Sequence, residues 1–494
     1  MMGLRLSEKI LCVVAVVAAV NVVALCIAYA LYPGYIDTGE PNIVALAWRL
    51  LDGNSVYHPI DDATRITNLY GPYLYLIHAL VFSVFGASVA IGKAPGLIAL
   101  IIALVIMAVS QRDRGWASVS FAVSGFAAIV VLNLPASIWD RPETFMLMSV
   151  ALGVWLNNRS ALDQRWLRAA VFGVLIGFVI GQKVFAAIYF LPFGFLMLYQ
   201  DGIIACIVTV VIAFSVAALP FMTPLFEFKY LVDLIQLMAD KPNSWDGLKK
   251  VMRYAAIYVV PASIFIAFGW QSMSRNERTE VSILSAGVVL AMALVLYPAQ
   301  KPGAGMYYLL PFAPIAMDLA GRGLCAMRTN HKLAIAASLA VAVLMNVVSV
   351  PVEKRFVRSL NWQMASAVAE EIAQISEDFK GQKIEIGIGS SNDSYRRTYQ
   401  RTRLVFAGHP YSLDTSIIID TTAWGIELSQ ATLNMIETCQ TDIWLIPVGE
   451  RPYAWYGYYG KDTYGQPFRD SFTRAFQKTE SRTYFDIYRC RAPR

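Results

Sequence analysis

Among the stretches of this chain that run for 20 residues or more without a single Asp, Glu, Lys or Arg are Ile10–Tyr32, Trp116–Trp139, Ile203–Phe226, Tyr254–Ser274, Val281–Gln300 and Leu333–Val352. Each supplies the roughly 20 apolar residues that a bilayer-crossing helix needs. Hydrocarbon offers no partner for a bare peptide group, so each block must pair its own backbone as a helix. Less clean apolar blocks at 88–110, 143–157, 169–182, 184–200 and 302–321 extend the pattern. The first block is too long for a signal peptide, and no small-residue cleavage motif follows it. Only 15% of the residues are charged, well below the roughly 25% of soluble domains.

The net charge of +6 does not point to nucleic acid, because many of the basic residues sit in short connectors. These are Arg112 and Arg114, then Arg159, Arg165 and Arg168, then Arg275 and Arg278, and finally Arg322, Arg328 and Lys332. With Arg5 and Lys9 they all belong in the cytoplasm. That holds only if the short apolar segment Tyr73–Gly86 does not cross, so it reads as an interfacial or re-entrant helix. Gly181–Lys183 must then be a tight outer turn, since one helix over 169–200 would be about 48 Å long. The fold class expected is a polytopic α-helical membrane protein of about 11 transmembrane helices, with the N-terminus cytoplasmic.

Three outer segments follow from this topology: Pro33–Pro72, Phe221–Lys250 and everything beyond Val352. Residues 1–351 form the membrane domain and 352–494 a soluble periplasmic one. The latter opens with an amphipathic helix near Asn361–Phe379, where Met364, Val368, Ile372, Ile375 and Phe379 keep a helical period. Strand-like runs follow at Ile384–Gly389, Arg403–Ala407, Ser416–Asp420, Ile443–Pro447 and Thr483–Cys490, with helical stretches near 425–438 and 466–477. That alternation reads as a small α/β domain. Cys439 and Cys490 fall within it and could pair in an oxidising compartment. Cys12, Cys26, Cys206 and Cys325 lie in apolar blocks and read as packing residues.

Candidate chemistry gathers at the outer ends of the spans. Asp37 and Glu40 stand in Tyr-Ile-Asp-Thr-Gly-Glu-Pro, just past the first span. They either complement the N-terminus of the helix that Pro41 helps start or supply a general base for an acceptor hydroxyl or amine. Asp140 and Glu143 occupy Trp-Asp-Arg-Pro-Glu in a second outer turn. Helix capping is the plain account of them, and Arg141 between them could hold a phosphate as a planar fork. Lys183 either snorkels to the interface or awaits a phosphate. Lys301, in Gln-Lys-Pro-Gly-Ala-Gly-Met-Tyr-Tyr, is a further cation, followed by Tyr307 and Tyr308. Gly303 and Gly305 allow close backbone approach there.

Tyr57, His58 and Tyr70 either anchor the first loop at headgroup level or line a sugar site. The aromatic run Tyr453–Gly460 either stacks on sugar C–H groups or packs inward. The four histidines show no ligand spacing, so the sequence requires no cofactor. A divalent cation shared by Asp37 and Asp140 would suit hard oxygen ligands.

An acidic motif after span one, a Tyr-Gly-Pro leading into a surface helix, a second acidic motif and basic residues at further outer helix ends form a pattern. It resembles the bacterial GT-C glycosyltransferases, the superfamily of the protein O-mannosyltransferases and of the lipid A aminoarabinose transferase. The resemblance covers roughly residues 10–350. It implies transfer of a sugar, with inversion, from a polyprenyl-phosphate donor to a glycan, lipid or protein acceptor at the outer face of the inner membrane. It makes Asp37 the base, with Glu40 beside it, and gives Lys183 and Lys301 to the lipid phosphate. Many members carry Arg-Pro-Asp where this chain has Arg141-Pro-Glu143, which leaves the second carboxylate open between Glu143 and Asp140. A transporter or flippase of a lipid-linked saccharide is the alternative. It would show repeats, broken helices and midplane polar residues, whereas the charges here collect at the outer edge. A non-catalytic assembly protein is the third reading, and would tolerate loss of the outer carboxylates.

Overall fold

A computed structural model describes residues 6–158, 164–239, 241–327 and 331–491. Arg5, Arg159 and Arg328, three of the expected cytoplasmic basic residues, lie outside the described residues. The chain is a polytopic α-helical membrane protein with a small C-terminal α/β domain. Among the described residues, eight helical segments are long and apolar enough to cross a membrane, against the 11 expected. Pro72–Phe85 and Trp116–Leu132 are apolar but shorter. The 14 residues of Pro72–Phe85 extend about 21 Å, less than a hydrocarbon core of roughly 30 Å.

The fold divides into two compact units. The first comprises Met1–Ala30, Gly96–Leu219 and Pro242–Ser359. Its centre is Trp116–Leu132, buried at nearly every position from Ser118 onward and packed against Ala313–Ala326 and His331–Ser359. Hydrocarbon gives helices no hydrophobic reason to associate, so close contact relies on small residues. A Cβ at Gly177 would come within 2.5 Å of the Ala213 carbonyl, which lets Arg165–Ile180 lie on Ile203–Ala218. A Cβ at Gly323 would meet the Phe265 backbone at 2.4 Å, where Trp245–Gly269 crosses Ala313–Ala326. The first of these helices ends at Gly181–Lys183, the turn expected between two short apolar helices.

The second unit comprises Leu31–Pro95, Pro220–Lys241 and Leu360–Arg494. Its sheet holds β1 (Ile384–Ile386), β2 (Ile443–Pro447), β3 (Phe476–Ser481) and β4 (Phe485–Cys490) in the order β1-β2-β4-β3. β1 runs parallel to β2 with Ile384 opposite Ile443, and the other neighbours are antiparallel. β2 is buried at all five positions, as a central strand covered on both faces must be. Leu445 faces one cluster with Val368, Ile372 and Ile375 of the amphipathic helix. Trp444 and Ile446 face the other, with Tyr453, Phe468 and Phe472. A disulfide joins Cys439 to Cys490.

Two expected strands are helices instead. Arg401–Phe406 and Thr415–Thr422 are helical. The second starts where Asp414 accepts hydrogen bonds from the Ser416 and Ile417 amides, an N-cap that outweighs the β-preference of Ile417–Ile419. The Phe221–Lys250 loop also contains an unexpected helix, Phe228–Ala239, with Leu231, Leu234 and Met238 buried along one side.

The loop Pro33–Pro72 is an integral part of this second unit. Arg65 and Leu413 form a parallel bridge, in which the Arg65 amide donates to Ser412 O at 2.7 Å and the Asp414 amide to Arg65 O at 2.8 Å. Gly39–Leu51 packs against Pro72–Phe85 and Arg401–Phe406, with the Trp48 ring edge-on to Phe82 and Phe406.

Candidate active site

In the first unit the turn between Trp116–Leu132 and Pro142–Asn157 brings the second acidic motif against Lys183. Pro142 begins the helix, which puts Glu143 in its first turn, where an acidic side chain complements the helix dipole. Glu143 is fully buried. Its Oε1 accepts from Lys183 Nζ at 2.7 Å and its Oε2 from Trp139 Nε1 at 3.2 Å. The Arg141 Nε lies 3.7 Å from Glu143 Oε2, and its guanidinium lies 4.0 Å from the Trp139 ring centroid and 5.3 Å from that of Tyr307.

Lys183 sits over Tyr308 at 4.2 Å and within 5.6 Å of Tyr307. Tyr308 stacks on Phe185, and Trp139 meets Tyr307 edge-on. Two cations thus share one carboxylate inside an aromatic enclosure. Such an enclosure excludes water and strengthens each charge contact.

Asp140 takes a different part. It is fully buried, and its Oδ1 accepts from the Gly96 amide at 2.9 Å. A side chain at residue 96 would lie 2.6 Å from that oxygen, so the glycine is what lets the carboxylate reach the backbone. Lys301 lies 4.9 Å above the Tyr297 ring. Its turn is tied to the enclosure where Tyr307 OH donates to Gly303 O at 3.0 Å. Of the expected residues in this unit, Arg141, Glu143, Lys183, Tyr307 and Tyr308 form one constellation. Trp139 is an addition that the residue types alone did not flag, and the side-chain amide of fully buried Gln182, next to Lys183 in sequence, makes no hydrogen bond among the described residues.

At the far end of the same two helices, buried Asp318 accepts from Gln111, Arg114, Asn158 and Arg322. This network borders a cavity of about 590 Å³.

In the second unit the first acidic motif forms a closed turn. Glu40 is fully buried and its Oε2 accepts from the Ile36 and Asp37 amides at 3.3 and 3.1 Å. Asp37 is half-buried, and its Oδ2 accepts from the Gly39 amide at 2.8 Å. The turn is braced by the C-terminal domain. Arg401 Nη2 donates to Thr38 O at 2.9 Å, and Arg403 Nη2 to Pro33 O at 2.7 Å. Arg401 in turn pairs with fully buried Asp414 at 3.2 Å. Asp414 also accepts from Asn42 at 3.3 Å and from Tyr411. Against the cost of burial, the Asp414 carboxylate raises the Arg401 affinity for its proton.

His58 uses both ring nitrogens, toward Asp62 Oδ2 at 2.9 Å and Ser55 O at 3.1 Å. Buried Tyr57 donates to the Tyr70 carbonyl at 2.8 Å. Among the described residues, no group of three or more His, Cys, Asp or Glu could hold a metal ion.

No protein-family model matches this chain, and no curated protein matches it in sequence. Solved structures do match in fold. The apo form of ArnT from Cupriavidus metallidurans superposes with a TM-score of 0.59 at 10% identity, over 96% of this chain and 97% of that one. The same protein bound to undecaprenyl phosphate gives 0.58 at 10% identity, over 95% and 97%. Over nearly its whole length the chain therefore has the fold of ArnT.

Proposed function

We propose that this chain transfers a sugar from a polyprenyl-phosphate carrier to an acceptor at the outer face of the bacterial inner membrane. The observation that carries the reading is the Arg141–Glu143–Lys183 constellation, two cations sharing one buried carboxylate among aromatic rings at the end of apolar helices. A fold shared with a protein solved with undecaprenyl phosphate bound supports the choice of carrier. The Cys439–Cys490 pair supports a C-terminal domain outside the cytoplasm, where thiols are oxidised.

In the reaction the acceptor hydroxyl or amine gives its proton to Asp37, and the freed lone pair attacks the anomeric carbon. The bond from that carbon to the phosphate oxygen breaks, with inversion, and polyprenyl phosphate leaves with one more negative charge. Arg141, Lys183 and Lys301 offset that charge, as fixed cations do where charge develops. The step as written needs no metal.

The test is transfer by the full chain reconstituted with candidate polyprenyl-phosphate sugars. Asp37→Asn, nearly isosteric, should fold normally and lose transfer, and full activity would remove Asp37 from the role. Chelation with EDTA should leave the wild-type rate unchanged. Loss that magnesium restores would put a divalent cation on carboxylate oxygens of the site.

A further inference from the structure

The segment from Tyr453 to Gly460 holds two tyrosines outward on a firmly anchored loop. Tyr453 and Trp455 are buried. Tyr453 packs on Tyr464, Phe468 and Phe472, while Trp455 stacks on Tyr395 with centroids 4.4 Å apart. Trp455 Nε1 donates to Asn392 at 3.0 Å and Tyr459 OH to Asp420 at 2.9 Å. Gly457 and Gly460, both at φ of 64°, make the left-handed turns between these anchors. Tyr456 and Tyr458 are left 63% and 62% exposed. Among the described residues from 360 onward, the only other large apolar side chain left exposed is Trp362. Exposed aromatic side chains on rigid backbone cost little entropy to bind with.

Tyr458 lies edge-on to Tyr395 and Trp455, with ring centroids 5.2 and 5.4 Å away. Asp37 acts electrostatically on the hydroxyls of Tyr399 and Tyr458, and exposed Arg396 acts on Tyr458. The segment carrying Tyr399 is fixed to the Asp37 turn through Arg401 and Arg403. An exposed aromatic face with a carboxylate and a guanidinium within electrostatic reach suits a pyranose ring. The sugar's C–H face lies on the tyrosine, and its hydroxyls donate to the carboxylate and accept from the guanidinium.

We propose that Tyr458, assisted by Tyr456, is a saccharide platform that seats the sugar of the acceptor beside Asp37. The acceptor role rests on the transfer reaction proposed above, whereas the existence of a saccharide site does not.

The test uses the full chain in phosphatidylcholine nanodiscs, free of sugar-based detergent. The probes are the methyl glycosides of glucose, galactose, mannose and N-acetylglucosamine, read by saturation-transfer difference NMR. At least one glycoside should receive saturation from the wild type. Y458A should weaken it roughly fivefold or more, the scale of one lost aromatic contact, and Y458F should retain it. Unchanged unfolding midpoints would show that these surface variants fold. No glycoside signal, or a signal unchanged in Y458A, overturns the proposal. So does Tyr458-dependent saturation that reaches only the choline methyl protons of the lipid. Tyr458-dependent glycoside binding by a chain that transfers no sugar upholds the platform and sinks the transfer reaction.

Discussion

Replacing Lys183 by Met removes one partner of a buried ion pair and leaves Glu143 behind. The ammonium and carboxylate are 2.7 Å apart, with side chains 9% and 0% exposed. At an effective dielectric of 20, charges at that distance attract by about 6 kcal/mol. Arg141, at 3.7 Å, remains and holds about 4.5 kcal/mol of the same kind. Stranding one partner of a buried pair costs about 3–5 kcal/mol, and the surviving Arg141 puts Lys183→Met near 3. In Lys183→Met with Glu143→Gln, Arg141 becomes the charge left without a partner, although the amide still accepts from Trp139. The double variant should therefore lose about 3 kcal/mol more than the single one. Thermal unfolding of wild type, both single variants and the double variant in nanodiscs gives the coupling, and transfer is measured on the same samples. Stability should fall again in the double variant, and transfer should stay lost in both, because the leaving phosphate still lacks its ammonium. A Lys183→Met protein that unfolds at the wild-type midpoint would refute the buried pair. A double variant regaining both stability and transfer would refute the role of Lys183 toward phosphate.

Three further outcomes follow from the second unit. Serine at Cys439 and Cys490 removes a link across 51 residues, which chain entropy values at about 4 kcal/mol; equal denaturant midpoints with and without reductant would contradict it. Arg401→Ala strands Asp414 and should cost about 3–5 kcal/mol, with faster amide exchange at residues 33–40, since Arg401 also holds Thr38; unchanged exchange there would sink the idea of a brace. Burial pushes the Glu385 carboxyl above its ordinary 4.5, despite hydrogen bonds from Ser412 and Thr441 and the nearby Arg49. Its contribution is therefore full below pH 4.5 and lost as pH rises through the raised value. Glu385→Gln should flatten that decline in unfolding measurements, and an unchanged pH profile would show that Glu385 titrates normally.

The membrane helices were legible because a bilayer imposes length and neutrality on whole blocks of sequence. The amphipathic helix at Trp362–Asp378 and the buried strand Ile443–Pro447 were legible for a related reason, since period and an unbroken apolar run each mark one environment. Arg403–Ala407 and Ser416–Asp420 misled because a run of three or four apolar residues fits a strand or a buried helical turn equally well. Asp414 could have resolved the second, being an N-cap residue ahead of Thr-Ser-Ile. At the candidate site, Arg141, Glu143 and Lys183 could be singled out as charges at helix ends. Their pairing could not, nor could the bond from Asp140 to Gly96. The Arg401–Asp414 pair was invisible because its job is to hold a loop more than three hundred residues earlier in the chain.

The bridge between Arg65 and Leu413 uses main-chain atoms, and Asn42, Arg49 and Arg65 all find partners among residues 411–427. During synthesis, the ribosome releases the first loop long before those partners exist. Until the final quarter of the polypeptide has been delivered, the Asp37 turn lacks the groups that shape it. A product truncated ahead of residue 401 can insert its early spans and still be unable to assemble this turn. Maturation then proceeds from bilayer to surface, and the segment bearing the candidate base is among the last parts to become competent.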